Sequence, residues 1–239
     1  MNDIRINKYI SQCGYCSRRE ADRLIADGKV QLNGAPASMG MRVMQGDVVS
    51  VMGEQLVPDE PEIVLALHKP KGIVCTTSQK DPDNVIRFLD YPKRIYPVGR
   101  LDKDSTGLLF LTNNGQLMDD ILRGSNYHEK EYIVSVNKPL KDSVLQAMRQ
   151  GVPILDTMTR PCKIRQTGKN SFHIILTQGL NRQIRRMCEY FGYRVVTLKR
   201  IRIMNFELGN LAEGQWRSLR QDEIEMLKKS TDKSLRNGE

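Results

Sequence analysis

Near the start of the chain the apolar residues Ile6, Tyr9, Ile10 and Cys13 recur at i, i+3, i+4 and i+7. That spacing lays them along one stripe of a short helix. Ser17-Arg-Arg-Glu20 announces a second helix, since a serine and a glutamate three apart can each satisfy an open backbone amide of the first turn. Ala21, Leu24 and Ile25 are its apolar positions, and Gly28 stops it. Val30–Leu32 reads as a strand, Asn33-Gly34 as a tight hairpin turn, and Val48–Val51 as a later strand. Gly53 to Glu62 holds two prolines and four acids, the composition of a linker. The pattern predicts one small domain over residues 1–60, with the linker at about 53–62, and a second over 61–239.

Beyond Ile63 short strands and helices mix without strict alternation. Ile63–Leu67, Ile95–Val98, Leu108–Leu111, Glu131–Val136 and Phe172–Leu176 read as strands. Val85–Leu89, Gln116–Leu122, Leu140–Gln150, Asn181–Phe191 and Gln221–Lys229 read as helices, the fourth capped by Asn181. Most strands follow one another too closely for crossover helices, so the sheet should be mixed but mostly antiparallel, flanked by helices. The fold class is α+β. Ser230–Glu239 is polar and expected to fray.

Composition narrows the field. The 239 residues include 37 basic and 28 acidic ones, a formal charge of +9, which favours an acidic partner. The longest apolar run, Ile63–Leu67, is far short of a membrane span, and charged residues through the first twenty positions exclude a secretory leader. A cytoplasmic protein with no membrane partner is expected. Five scattered cysteines argue against a disulfide framework. Cys13-Gly-Tyr-Cys16 lacks the preceding strand of a redox motif and the two further ligands of a zinc site, so it reads as two half-buried thiols, and no metal is expected.

Two segments carry candidate chemistry. Gly99-Arg-Leu-Asp-Lys-Asp-Ser-Thr-Gly107 is a polar turn held between two apolar strands, a rigid mount presenting Asp102 and Asp104 with Arg100 and Lys103. In Gln178–Gly192 the positions Ile184, Met187, Cys188 and Phe191 make a core stripe, which places Arg182, Arg185 and Arg186 on the opposite side. From Arg182 to Arg202 seven basic residues face one acid, a one-sided density suited to a polyanion. Arg18, Arg19 and Arg23 on the second helix offer a smaller phosphate-gripping face.

Gly99-Arg-Leu-Asp-x-x-x-x-Gly107-Leu-Leu resembles the catalytic motif of the pseudouridine synthases. The first domain resembles an S4 RNA-binding domain, while Lys69-Pro-x-Gly72, Lys130-x-Tyr132 and Arg182-Gln-Ile-Arg-Arg186 complete the pattern of the RsuA-type branch. The resemblance covers about residues 5 to 228. It implies an isomerase that turns a uridine of structured ribosomal RNA, large-subunit (23S) RNA first, into pseudouridine on a flipped-out base, without cofactor. It makes Asp102 the essential carboxylate, Arg185 its partner and Tyr132 the residue that stacks on the base. Ile184 would line the pocket, and Arg100, Lys103, Lys130, Arg182, Gln183 and Arg186 would contact RNA. A monomer is expected. A non-enzymatic S4-type ribosome-associated protein would explain residues 1–60 but leave Asp102 without purpose; a DNA binder would explain the charge without a supporting motif.

Overall fold

The computed structural model describes residues 3–57, 61–123 and 127–231. The chain divides into two compact units. The first runs to Glu62 and takes in Pro92–Arg94 and Asn113–Gly115; the second holds the rest.

In the first unit β1 (Ile4–Arg5) leads into α1 (Ile6–Gln12), followed by α2 (Arg18–Ala26), β2 (Val30–Leu32), β3 (Ala35–Pro36), β4 (Arg42–Val43), β5 (Val49–Val51) and β6 (Glu54–Leu56). The sheet order is β3-β2-β5-β6, all antiparallel, with β1 and β4 paired apart from it. The predicted helical stripes do bury: Ile6, Ile10, Ala21 and Ile25 share one core with Val30, Val43, Val49 and Val51. Ser17 caps α2, its Oγ accepting from the Glu20 amide at 3.1 Å. Cys13 and Cys16 pack against this core, and burial pushes Cys13 up to about 11, so neither is the low-pKa thiol of a redox pair.

The second unit is built on one large sheet. Its elements are β7 (Val64–Lys69), α3 (Val85–Leu89), β8 (Tyr96–Val98), β9 (Thr106–Thr112), α4 (Gly115–Leu122), β10 (Lys130–Val136), α5 (Asp142–Gln150), β11 (Pro153–Ile154), β12 (Thr157–Met158), β13 (Lys163–Gly168), β14 (Ser171–Leu176), α6 (Gln183–Tyr190), β15 (Val195–Ile203), β16 (Phe206–Glu207), β17 (Trp216–Ser218) and α7 (Gln221–Thr231). The order is β13-β14-β10-β15-β9-β7-β17, with β8 beside β9 and β16 beside β15. Every pairing in it is antiparallel except β15 with β9. One face carries the layer of Leu65, Leu67, Leu109 and Leu111 under α3; the alternate residues Val64, Ala66, Leu108 and Phe110 share a core with α4 and α7 residues.

The chain pattern missed two central features. β15, the strand that joins the two halves of the sheet, lies inside the basic run, where Lys199, Arg200 and Arg202 hide its apolar alternation. β13 was concealed likewise by Lys163 and Arg165. At the other end Ser230 and Thr231 continue α7 rather than fray; the remainder of that tail, 232–239, lies outside the described residues, as do residues 58–60 of the predicted linker.

Candidate active site

The loop between β8 and β9 is braced from below at three points. Leu101 is buried and its amide donates to Cys75 Sγ at 3.3 Å; the Gly72 amide donates to the Lys103 carbonyl at 2.8 Å; the Ser105 amide donates to the Asp102 carbonyl at 3.0 Å. Lys69-Pro-x-Gly72 thus belongs to the loop's foundation. Asp102 keeps its carboxylate at a rim that is 27% exposed. Gly107 closes the loop with φ at 110°, and a Cβ there would fall 2.2 Å from the Arg200 carbonyl oxygen. Only glycine lets β9 and β15 approach this closely.

The arginines arrive from α6. Arg182 sits at φ 51° just before the helix, and the buried Gln183 ties down the preceding turn by accepting from the Leu180 amide at 3.0 Å. One turn on, Arg185 is buried and its Nη2 donates to the Asp104 carbonyl and to Ser105 Oγ, each at 3.2 Å. Arg185 Nε lies 3.5 Å from Asp102 Oδ2 yet makes no hydrogen bond, so the contact is an ion pair with poor donor alignment. Arg182 Nη1 is 3.8 Å from the same oxygen. One carboxylate oxygen therefore faces two guanidinium groups, one buried and one open.

Across the sheet the register sets Lys69, Gly107, Arg200, Tyr132 and Ile174 side by side on β7, β9, β15, β10 and β14. Lys69 is wholly buried and donates to the Pro70 carbonyl at 2.7 Å; burial pushes its ammonium pKa down. Arg200 is buried too, Nε donating to the Leu108 carbonyl at 2.7 Å. Tyr132 is half-buried against the layer that contains Leu101. Lys130, two residues away on the same strand, is pushed down to about 8 by burial and by Arg200.

Several sequence expectations need correction. Arg185 does not share a solvated side with Arg182 and Arg186; it is turned inward. Asn181 does not cap α6; its carbonyl and side-chain oxygens accept from Arg186 instead. Gln183 and Ile184 are both buried and face no open surface. The basic run is not one cationic face: Arg185 and Arg200 are buried, and Arg202 is spent on Glu129 and Glu131, each at 2.9 Å. Arg100 is exposed, and Lys103 is exposed but paired with Asp83 at 3.0 Å. Arg18, Arg19 and Arg23 are exposed and belong to the first unit, whereas the loop belongs to the second. Ser105, buried where the loop enters β9, falls at a variable position of the motif, and only its place two residues before Gly107 signals it in the sequence. Among the described residues no group of three His, Cys, Asp or Glu side chains converges as a metal site, and no helix is long and apolar enough to cross a membrane.

A braced loop carboxylate paired with an inward arginine, on a mixed sheet that follows a small RNA-binding type of unit, defines a class. The family model for RNA pseudouridylate synthase matches residues 63–190, the S4 domain model matches residues 4–49, and the chain belongs to the RNA pseudouridylate synthase family. It is an enzyme that isomerises uridine, not a non-enzymatic S4 protein. Among particular proteins it is 52% identical over 225 residues to the dual-specificity RNA pseudouridine synthase RluF of Escherichia coli (strain K12), covering 93% of this chain and 78% of that one. It is 33% identical over 237 residues to the ribosomal large subunit pseudouridine synthase B of Bacillus subtilis (strain 168), covering 95% and 97%. A solved structure described as a pseudouridylate synthase superposes with TM-score 0.69 at 30% identity, over 94% of this chain and 99% of that one.

Proposed function

We propose that Asp102 is the reacting carboxylate, acting at the ribose of a flipped-out uridine in ribosomal RNA, with large-subunit (23S) RNA the target. The observation that carries this reading is the placement of Asp102 Oδ2 at the rim, 3.5 Å from the buried Nε of Arg185. The buried guanidinium faces the carboxylate as its partner, and the open side leaves it free to meet a sugar. The N1–C1′ bond breaks, the uracil turns, C5 bonds to C1′, and the C5 proton is lost while N1 gains one. No atom is added or removed.

Tyr132 stacks on the base, which costs a few kcal/mol to extract from its helix and least in an irregular loop. Arg182 and Arg186 grip phosphates beside it, with Arg100 and Lys103 on the loop and Lys130 at the strand end. The S4 unit, through Arg18, Arg19 and Arg23, holds a nearby helical element, so residues 1–60 anchor and residues 61–239 react. Large-subunit RNA is supported by the similarity to the ribosomal large subunit pseudouridine synthase B of Bacillus subtilis. The protein works as a cytoplasmic monomer on this reading.

The test is incubation with unmodified 23S and 16S transcripts, followed by carbodiimide-stop mapping. One strong stop in 23S RNA, absent with Asp102→Asn, is the expected result. Stops in 16S RNA alone would overturn the target, and unchanged stops with Asp102→Asn would overturn the residue.

A further inference from the structure

We infer that Trp216, Tyr91 and Phe88 form a stacking platform for unpaired nucleotides that adjoin the target uridine. Trp216 stands opposite Leu67 on β7, and Leu67 opposite Leu109 on β9, so its ring lies on the sheet face that carries the Asp102 loop. The layer on that face contains Leu101 of the loop, and both Tyr132 and Tyr91 pack against it. Tyr91 meets Trp216 edge to face, ring centroids 5.5 Å apart. Phe88 comes from α3, whose Val85 and Leu89 bury into the same layer, and its ring reaches within 3.8 Å of where a Gly214 side chain would begin. Tyr132 and this aromatic group therefore border one continuous apolar layer.

The rings are nonetheless open: Trp216 is 40% and Phe88 39% exposed. Aromatic rings contribute most to stability when fully covered, so two left open at one edge forgo that gain. Lys71 and Arg87 are exposed in the flanking segments together with Asp90, and Glu213 Oε1 accepts from the Lys71 amide, so charges of both signs border the rings. Open aromatic rings suit the face of a base, and stacking on them is tolerant of sequence. β17 and β9 are two strand spacings apart, about 10 Å, on the face that carries the loop. When the uridine flips, its neighbours lose a stacking partner, and the shelf supplies another. The identity of the ligand as RNA rests on the function proposed above; the position of the shelf does not.

Trp216 is the only tryptophan of the chain, so its fluorescence reports on the shelf alone. Full-length protein titrated with a ten-nucleotide oligouridylate should show saturable quenching, and an RNA duplex of equal length should not quench. Phe88→Ala and Tyr91→Ala should each weaken the oligouridylate about five- to tenfold, the lower part of the range for losing one stacked base. They should raise KM for the 23S transcript similarly and leave kcat unchanged, while Trp216→Phe should retain binding. Oligouridylate that binds by anisotropy of a labelled strand, with silent Trp216 and unaltered affinity in both variants, would overturn the shelf. Quenching by oligouridylate with no carbodiimide stop in the 23S transcript would instead overturn the proposed target and leave the shelf standing.

Discussion

Two helices of this protein carry three arginines each once the N-cap Arg182 is counted with α6, and they are built in opposite ways. α2 begins with an ordinary cap, Ser17 Oγ on the Glu20 amide, and Arg18, Arg19 and Arg23 all stand in solvent, Arg23 paired with Glu20 at 3.3 Å. α6 has no side-chain cap, starts from Arg182 at φ 51°, and turns Arg185 into the protein. A solvated arginine with an intrahelical partner adds little to stability and remains available to any phosphate. A buried arginine aimed at a carboxylate fixes one geometry and is costly to disturb. Arginine density alone would rank the helices as equals; burial and the partner separate them.

Removing the groups at the buried end should break the enzyme. Asp102→Asn should abolish turnover while RNA affinity stays within about tenfold, because the change removes a reacting group and no phosphate contact. Arg185→Met should lower kcat by about 10²- to 10³-fold, the usual loss when one preorganised group that stabilises charge in the transition state is removed. Single-turnover kinetics with a 23S transcript would measure both. A pure KM defect in Arg185→Met would make it one more phosphate clamp and erase the contrast with α2.

The solvated helix should respond in affinity and salt dependence. Arg18→Ala, Arg19→Ala and Arg23→Ala combined should leave kcat intact, raise KM about tenfold or more, and flatten the log–log salt slope by up to about three, one unit per lost phosphate contact. Titrations at two salt concentrations decide it. An unchanged slope would mean that α2 presents only a solvated face.

The contrast also marks where the sequence was readable. Val85–Leu89 and the starts of α2 and α7 could be placed from periodicity and capping, because each rests on neighbours in the chain. Arg185 and β15 depend on partners far away: Arg185 on Ser105, eighty positions earlier, and β15 on β9 and β10. A helical wheel sees Arg185 opposite the core stripe and has no means of showing that a second apolar layer, with Leu101 and the Asp102 loop, lies on that side. Arg200 was invisible for the same reason: a charge in a basic run gives no sign that it sits beneath a glycine.

Lys130, half-buried at the start of β10 and repelled by Arg200, should leave a pH signature that α2 cannot. Lys130 has its folded pKa pushed down to about 8 from 10.5, first by burial and then by Arg200. Between those values the unfolded chain binds the extra proton, so stability should rise as pH goes from about 8 towards 10.5. Calorimetry across that window should show the rise in the wild type and its loss in Lys130→Met. A flat profile in the wild type would mean that the ammonium is solvated.

The smallest effect should come from the left-handed residue that starts α6. A non-glycine residue in that region costs roughly 1–2 kcal/mol, a penalty that glycine escapes, although glycine loses more backbone entropy on folding. Arg182→Gly should therefore gain at most about 1 kcal/mol, a Tm increase of about 2–4 °C for a domain of this size. Its charge lies 3.8 Å from Asp102 Oδ2, so the same change should raise KM and steepen the dependence of turnover on Arg185. Ser17→Ala at the start of α2 should do the reverse, losing about 1 kcal/mol with the chemistry untouched. Melting curves and kinetics for the two variants, side by side, decide the matter. If Arg182→Gly lowers Tm as Ser17→Ala does, the start of α6 is an ordinary helix end and the backbone holds no strain there in the service of the site.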